Sequence, residues 1–210
     1  VTFQYLMPDV AGHNQVLWAL EALDPRPLLV ADAGFMYAAK MSGFAAHYDL
    51  FTPDVGEMAF LADESAPHPF YTRGFLLQDE EDVPELIRRA YAAENAARAL
   101  LVKGRTDFVV EAGHITARIA SPDVPAMEPI GGTGDTLTAL VSMLLAARLP
   151  LQEACCVAAL ANRYLGELAQ PTPAFGVVEF LPFVPAALTR AWEDRQLGPL
   201  PGAKDGYALR

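Results

Sequence analysis

Short apolar runs of strand length alternate with longer segments of helical period along most of the chain, and this alternation restricts the fold more than any other feature of the sequence. It is what a sheet covered by helices requires, because each kind of element must bury its apolar face against the other. Residues 2–6 read as a first short strand. Residues 14–23 read as a helix, with Val16, Leu17, Leu20 and Leu23 at helical spacing and Pro25 and Pro27 ending it. Buried-type strands are expected at 27–31 (PLLVA) and 47–52 (HYDLFT), with a helix or irregular turn at 35–44 between them. Val55–Ala62 reads as a short helix. Residues 63–82, with Pro67, Pro69, Gly74 and the acidic run Asp79-Glu80-Glu81-Asp82, form a long connection that suits either a lid or a solvated loop. An amphipathic helix at 83–99 and a strand at 100–103 (LLVK) come next. A hairpin of 108–111 and 114–120 follows, turned at Ala112-Gly113. An apolar helix is expected at 136–147, then two more at Leu151–Ala169 and 178–192, and 198–210 is a Gly- and Pro-rich tail expected to be loosely held.

Charge and length narrow the function classes. With 15 Lys+Arg against 26 Asp+Glu the net charge is −11, and the pI is near 4.7. That excludes a binder of nucleic-acid backbones, which needs clustered cations that release counterions, so any phosphate must be gripped locally. At roughly 100–200 residues per domain, a chain of this length reads as one domain over residues 1–197. A hydrophobic fraction of 52% against 20% charged residues supplies a core and excludes a disordered chain. Cys155 and Cys156 are adjacent in a helical segment, with no zinc spacing, which fits a reducing, cytoplasmic compartment. The most apolar stretch, 136–147, is too short to cross a bilayer, and residues 1–8 lack the pattern of a signal peptide, so no membrane partner is expected. The chain opens at Val1 on a strand and without Met, which suggests a fold shortened at its front edge.

Three segments carry chemistry. In Gly131-Gly132-Thr133-Gly134-Asp135-Thr136-Leu137, three glycines directly before an apolar helix let the backbone approach a ligand and aim N–H groups at an anion, with the helix dipole behind them. Asp135 would repel that anion, which makes sense for a general base taking a proton from an attacking hydroxyl; the plainer reading is a Gly-rich loop capped by Asp. In Thr52-Pro53-Asp54-Val55-Gly56-Glu57, the carboxylates at i and i+3 follow a strand end, where they could share a hydrated Mg²⁺ or form a capping box. In Leu101-Val102-Lys103-Gly104, the lysine at a strand end could meet a nucleotide phosphate or simply be a surface lysine.

Taken together, LLVADAG (28–34), LFTPDVGEMAFL (50–61), LLVKG (100–104) and GGTGDTLTAL (131–140) resemble the ribokinase-like superfamily. Within it they are most similar to the ADP/ATP-dependent NAD(P)H-hydrate dehydratases, whose segments read approximately DAD, LTPHPGE, LKG and GGTGDVL. The resemblance covers about residues 27–162. It implies a three-layer α/β fold with a mostly parallel central sheet and helices on both faces. It also implies an ATP or ADP site at Gly131, Gly132, Thr133 and Gly134, bordered by Lys103 and Gly104, with Asp135 as catalytic base. Asp54 and Glu57 would organise the waters of Mg²⁺, and Asp32 would lie on the substrate side. The reaction implied is phosphorylation of the C6 hydroxyl of hydrated NAD(P)H followed by loss of phosphate, in a cytoplasmic homo-oligomer with small-molecule partners. The family's TPH stands here as Thr52-Pro53-Asp54, and Asp9-Val10-Ala11-Gly12-His13 stands where the family has a Gly-rich turn. Two alternatives remain: a kinase of a hydroxymethyl-pyrimidine-, pyridoxine- or sugar-like alcohol, and a non-catalytic nucleotide-binding member. Trp18 and Trp192 read as packing, and His13, His47, His68 and His114 have no spacing that suggests a metal. Tyr71 and Arg73, in the long connection, are within reach of a substrate by location alone.

Overall fold

The computed structural model describes residues 1–5, 7–66, 82–172, 174–195 and 207–209. These group into two compact units, Val1–Gly104 with Val110–His114, and Arg105–Val109 with Ile115–Arg210. Within the first unit the strands follow one another in chain order. Residues 67–81 of the long connection expected at 63–82, with Tyr71 and Arg73, and most of the tail lie outside the described residues.

In the first unit, β1 (Thr2–Tyr5), β2 (Val30–Asp32), β3 (Leu50–Phe51) and β4 (Ala99–Val102) pair side by side, all parallel. Thr2 stands opposite Val30, Val30 opposite Leu50, and Leu50 opposite Ala99. Strands β2 to β4 are buried along their whole length, which is why they read as continuous apolar runs and not as alternating ones. Helix α1 (Val10–Glu21) begins earlier than its spacing suggests, because Asp9 Oδ1 accepts from Gly12 N at 3.0 Å and caps it. The 9–13 segment is therefore a cap and a first helical turn, not a Gly-rich turn. His13 is buried, with its Nε2 2.9 Å from the Tyr48 hydroxyl and its Nδ1 2.8 Å from Asn14 Oδ1. Burial lowers its pKa, so it serves as a neutral core group.

Residues 35–44 resolve as helix α2 (Ala33–Met41), which follows β2 directly. Its Lys40 extends to the end of α3 (Val55–Ala62), where Nζ donates to Phe60 O at 2.5 Å and Asp63 O at 2.6 Å and lies 3.8 Å from the Phe60 ring centroid. A cation at a helix C-terminus satisfies carbonyls that lack an intrahelical partner. Helix α4 (Val83–Ala92) buries Val83, Leu86, Ile87 and Ala90, a single apolar stripe. It stops seven residues before the expected end at 99. Glu94 takes φ +56°, Asn95 N bonds Ala90 O at 2.9 Å, and the Asn95 amide donates to Leu61 O at 3.0 Å; Ala99 already belongs to β4.

The hairpin of β5 (Asp107–Glu111) and β6 (His114–Ile119) forms as expected, with Ala112 and Gly113 at φ +48° and +82°. In the second unit, β6 pairs in parallel with β7 (Tyr207–Leu209), so the end of the tail is a strand where a loose end was expected. Helices α5 (Thr133–Ala146), α6 (Leu151–Ala169) and α7 (Val184–Arg195) pack in succession, α6 against both of the others. The expected helix at 178–192 is a 3-10 turn over Val177–Phe183 followed by α7. Arg163 of α6 donates to Asp107 Oδ2 at 2.8 Å, Arg105 O at 2.7 Å and Pro122 O at 3.1 Å, so this buried cation is fully engaged.

Candidate functional site

The residues singled out in the sequence fall into two groups, one in each unit. In the first unit, parallel strands end on a common side and bring three of them together. Asp32 closes β2, Asp54 follows β3, and Lys103 follows β4, with Lys103 N donating to Pro53 O at 2.7 Å and Asp54 bridged to Lys103 in parallel fashion. Lys103 Nζ lies 2.9 and 3.1 Å from the two oxygens of Asp32, whose side chain is 2% exposed against 15% for the lysine. Asp32 Oδ1 also accepts from Ala33 N at 3.0 Å, and Ala33 takes φ +46°, a left-handed conformation costly for a residue with a Cβ. Gly104 directly follows this lysine.

Asp54 and Glu57 form the capping box that their spacing allowed. Asp54 Oδ1 accepts from Glu57 N at 2.7 Å, and Glu57 Oε2 accepts from Asp54 N at 2.8 Å. Glu57 Oε1 accepts from the Tyr37 hydroxyl at 2.7 Å. The sequence reading missed Tyr37, since one tyrosine in an apolar helix carries no signal of a partner 20 residues away. Burial, opposed by Lys103 and reinforced by Asp54 and Asp32, pushes the Glu57 pKa from 4.5 up to about 7. Burial alone would lower Lys103, but Glu57 and Asp32 outweigh it and hold its pKa above the ordinary value. Burial, reinforced by Glu57, raises the Tyr37 hydroxyl.

A stability profile checks this. Below about pH 4.5 Glu57 holds its proton in both folded and unfolded chains; between there and about 7 only the unfolded chain releases it, so its contribution to stability falls as pH rises. The urea midpoint of the wild type is expected to decline relative to that of Glu57→Gln across this window, with the two curves running parallel above it. Parallel curves throughout would mean an ordinary glutamate.

Carboxylate oxygens are the donors that Mg²⁺ prefers. Among the described residues no three His, Cys, Asp or Glu side chains converge as a direct metal cage. The hydrogen-bonded Asp54–Glu57 pair, whose oxygens each have two lone pairs, instead fits an ion held through its own waters.

In the second unit, Gly132 is the N-cap of α5 at φ +93°, a conformation glycine adopts freely. The helix starts at Thr133, three residues before the expected 136, so Gly134 and the exposed Asp135 belong to its first turn. Gly132 has no side chain to cap the first N–H groups, and Thr133 Oγ1 turns back to Ile130 O at 3.1 Å. A Cβ added at Gly132 would meet Val177 Cβ at 3.3 Å, whereas one at Gly131 would meet nothing within 4 Å. Gly132→Ala is therefore expected to lower unfolding free energy by about 1–3 kcal/mol, and Gly131→Ala by less than about 0.5 kcal/mol, in urea unfolding. Equal losses would refute the difference between the two positions.

The description "NAD(P)H-hydrate dehydratase" belongs to the family whose pattern matches residues 9–179. A Methanocaldococcus jannaschii protein, named as uncharacterized, is 40% identical over 189 residues, 90% of this chain and 78% of its own length. An ADP-dependent (S)-NAD(P)H-hydrate dehydratase of Cenarchaeum symbiosum is 32% identical over 152 residues, 72% of this chain and 47% of its own. The match thus spans about half of that enzyme. Among solved structures, ribokinase from Cryptococcus neoformans var. grubii in complex with ADP has a TM-score of 0.60 at 16% identity, over 86% of this chain and 58% of its own. That likeness bears on fold alone, and the fold is the ribokinase-like α/β one. With the match extending over residues 9–179 and including both groups of candidate residues, the chain belongs to the NAD(P)H-hydrate dehydratase family.

Proposed function

We propose that this chain binds ADP or ATP through the 131–135 turn and uses it to dehydrate hydrated NAD(P)H. The observation that supports this best is the turn: a left-handed glycine cap with open space beside Gly131, followed by Asp135 in the first turn of α5. First-turn N–H groups and the helix dipole favour a phosphate there without a lysine. An acid beside such an anion is counterproductive for binding and useful for accepting a proton.

In this reading Asp135 takes the proton of the substrate hydroxyl while the hydroxyl oxygen bonds to the terminal phosphorus and the bond from phosphorus to the nucleotide breaks. The phosphate ester then leaves as inorganic phosphate, a proton is lost from the adjacent ring carbon, and the ring double bond of NAD(P)H returns. Asp54 and Glu57 would hold a hydrated Mg²⁺, whose chemistry there would be charge neutralisation. Lys103 orders Asp32, the residue assigned to the substrate side. Small molecules are the partners, in a cytoplasmic homo-oligomer; among the described residues no helix is long and apolar enough to cross a membrane.

The test is incubation with NADH hydrate, Mg²⁺ and either ADP or ATP, following recovery of NADH absorbance. Recovery that depends on nucleotide is expected. Nucleotide binding without recovery would overturn the dehydratase reading, and a phosphorylated pyridoxine-like alcohol under the same conditions would replace it with a kinase.

A further inference from the structure

Helix α6, 19 residues long, packs against α5 and is rich in Ala and Leu, yet it carries Asn162 in its interior. Asparagine is a poor helix former there, because its amide competes for backbone groups. Here the amide is occupied elsewhere: Nδ2 donates to Thr133 O at 3.3 Å, and Oδ1 accepts from Thr136 Oγ1 at 2.7 Å. Thr136 Oγ1 is also 2.6 Å from Thr133 O, but a hydroxyl has one proton. With that proton on Oδ1 and the amide N–H on the Thr133 carbonyl, every group is satisfied, whereas the reversed amide would set two acceptors against each other. Thr133 and Thr136 flank Gly134 and Asp135. A first helical turn is prone to fray, and this one contains a glycine and has a glycine cap.

We propose that Asn162 is a positioning residue, clamping the first turn of α5 from the neighbouring helix so that the Asp135 carboxylate is held where it takes the substrate proton. This rests on the reading of Asp135 as the base. Misplacing a reacting group by about 1 Å can cost about 10²-fold in rate, and losing the clamp is expected to cost about tenfold in kcat. KM for ADP or ATP should change by less than about threefold, because the clamp bonds the Thr133 carbonyl and the Thr136 hydroxyl and none of the N–H groups assigned to the phosphates.

The full chain is assayed with NADH hydrate and each nucleotide as wild type, Asn162→Ala, Thr136→Val, the double variant and Asp135→Asn, with urea unfolding confirming that each is folded at the assay temperature. Both single variants should lose kcat at nearly constant KM, and the double should be no worse than about threefold below either, since one clamp is lost only once. If Asn162→Ala does not fold, Thr136→Val, which keeps the side-chain shape, makes the same test alone. Single variants within twofold of wild-type kcat, or losses that multiply in the double, overturn the clamp while an inactive Asp135→Asn leaves the base in place. An Asp135→Asn variant as active as wild type, or a wild type that turns over no hydrate with either nucleotide, overturns the base reading and the clamp with it.

Discussion

Replacing Asp135 with Asn is expected to slow hydrate turnover by about 10²- to 10⁴-fold, the usual contribution of a general base, with ADP or ATP as donor. Asn keeps the size and planarity of the side chain but accepts no proton. It also removes a negative charge from the turn proposed to hold the phosphates, so nucleotide affinity, measured by calorimetric titration, should hold or tighten. The loss of an acid from the first turn of α5 weakens the helix by only about 0.3–1 kcal/mol, too little to unfold the chain. A variant that retains turnover, or one that loses nucleotide binding in step with turnover, would remove Asp135 from the base role.

Lys103→Met should give the largest loss of stability, about 3–5 kcal/mol, since removing one partner of a buried pair leaves the other charge uncompensated. Asp32, with its side chain 2% exposed, would then face Glu57 and Asp54 without the ammonium that now lies 2.9 Å away. The double variant Lys103→Met/Asp32→Asn should regain most of the loss, because neutralising both partners costs far less than orphaning one. Urea unfolding of the three proteins reads this directly. A loss below about 1 kcal/mol in Lys103→Met would mean that Asp32 is solvated well enough to stand alone.

Much of the fold could be read from the sequence, because strands buried on both faces are continuous apolar runs that stand out between helices. Where boundaries slipped, tertiary contacts had overridden local pattern. The run Pro27-Leu28-Leu29 is apolar, yet the strand begins only at Val30, where parallel pairing starts. The alanines after 92 suit a helix, yet Glu94 at φ +56° ends it. Gly134 reads as a breaker, yet it lies in the first turn of α5, where N–H groups lack intrahelical partners in any case. The family was legible from four segments, and its pattern extends further toward both ends than those segments did.

The candidate residues were legible to different degrees. Asp32, Asp54 and Lys103 each read as lying at a strand end, where parallel strands gather, but Lys103 was expected at a nucleotide phosphate and not 2.9 Å from Asp32. Asp54 and Glu57 satisfied two patterns at once, and the capping box is the one the structure displays. Tyr37 and Asn162 were illegible for a common reason. Each sits inside a helix and acts on a partner 20 or more residues away, which no local periodicity can report.

Lys40 has a consequence for how the molecule can be watched over time. The chain contains three lysines, Lys40, Lys103 and Lys204, and the amine of Lys40 is held under the last carbonyls of α3. An amine-selective reagent can reach it only when that helix end opens. The rate at which Lys40 takes up label is thus a clock for local breathing at the junction of α2 and α3, readable by mass spectrometry in the unaltered protein.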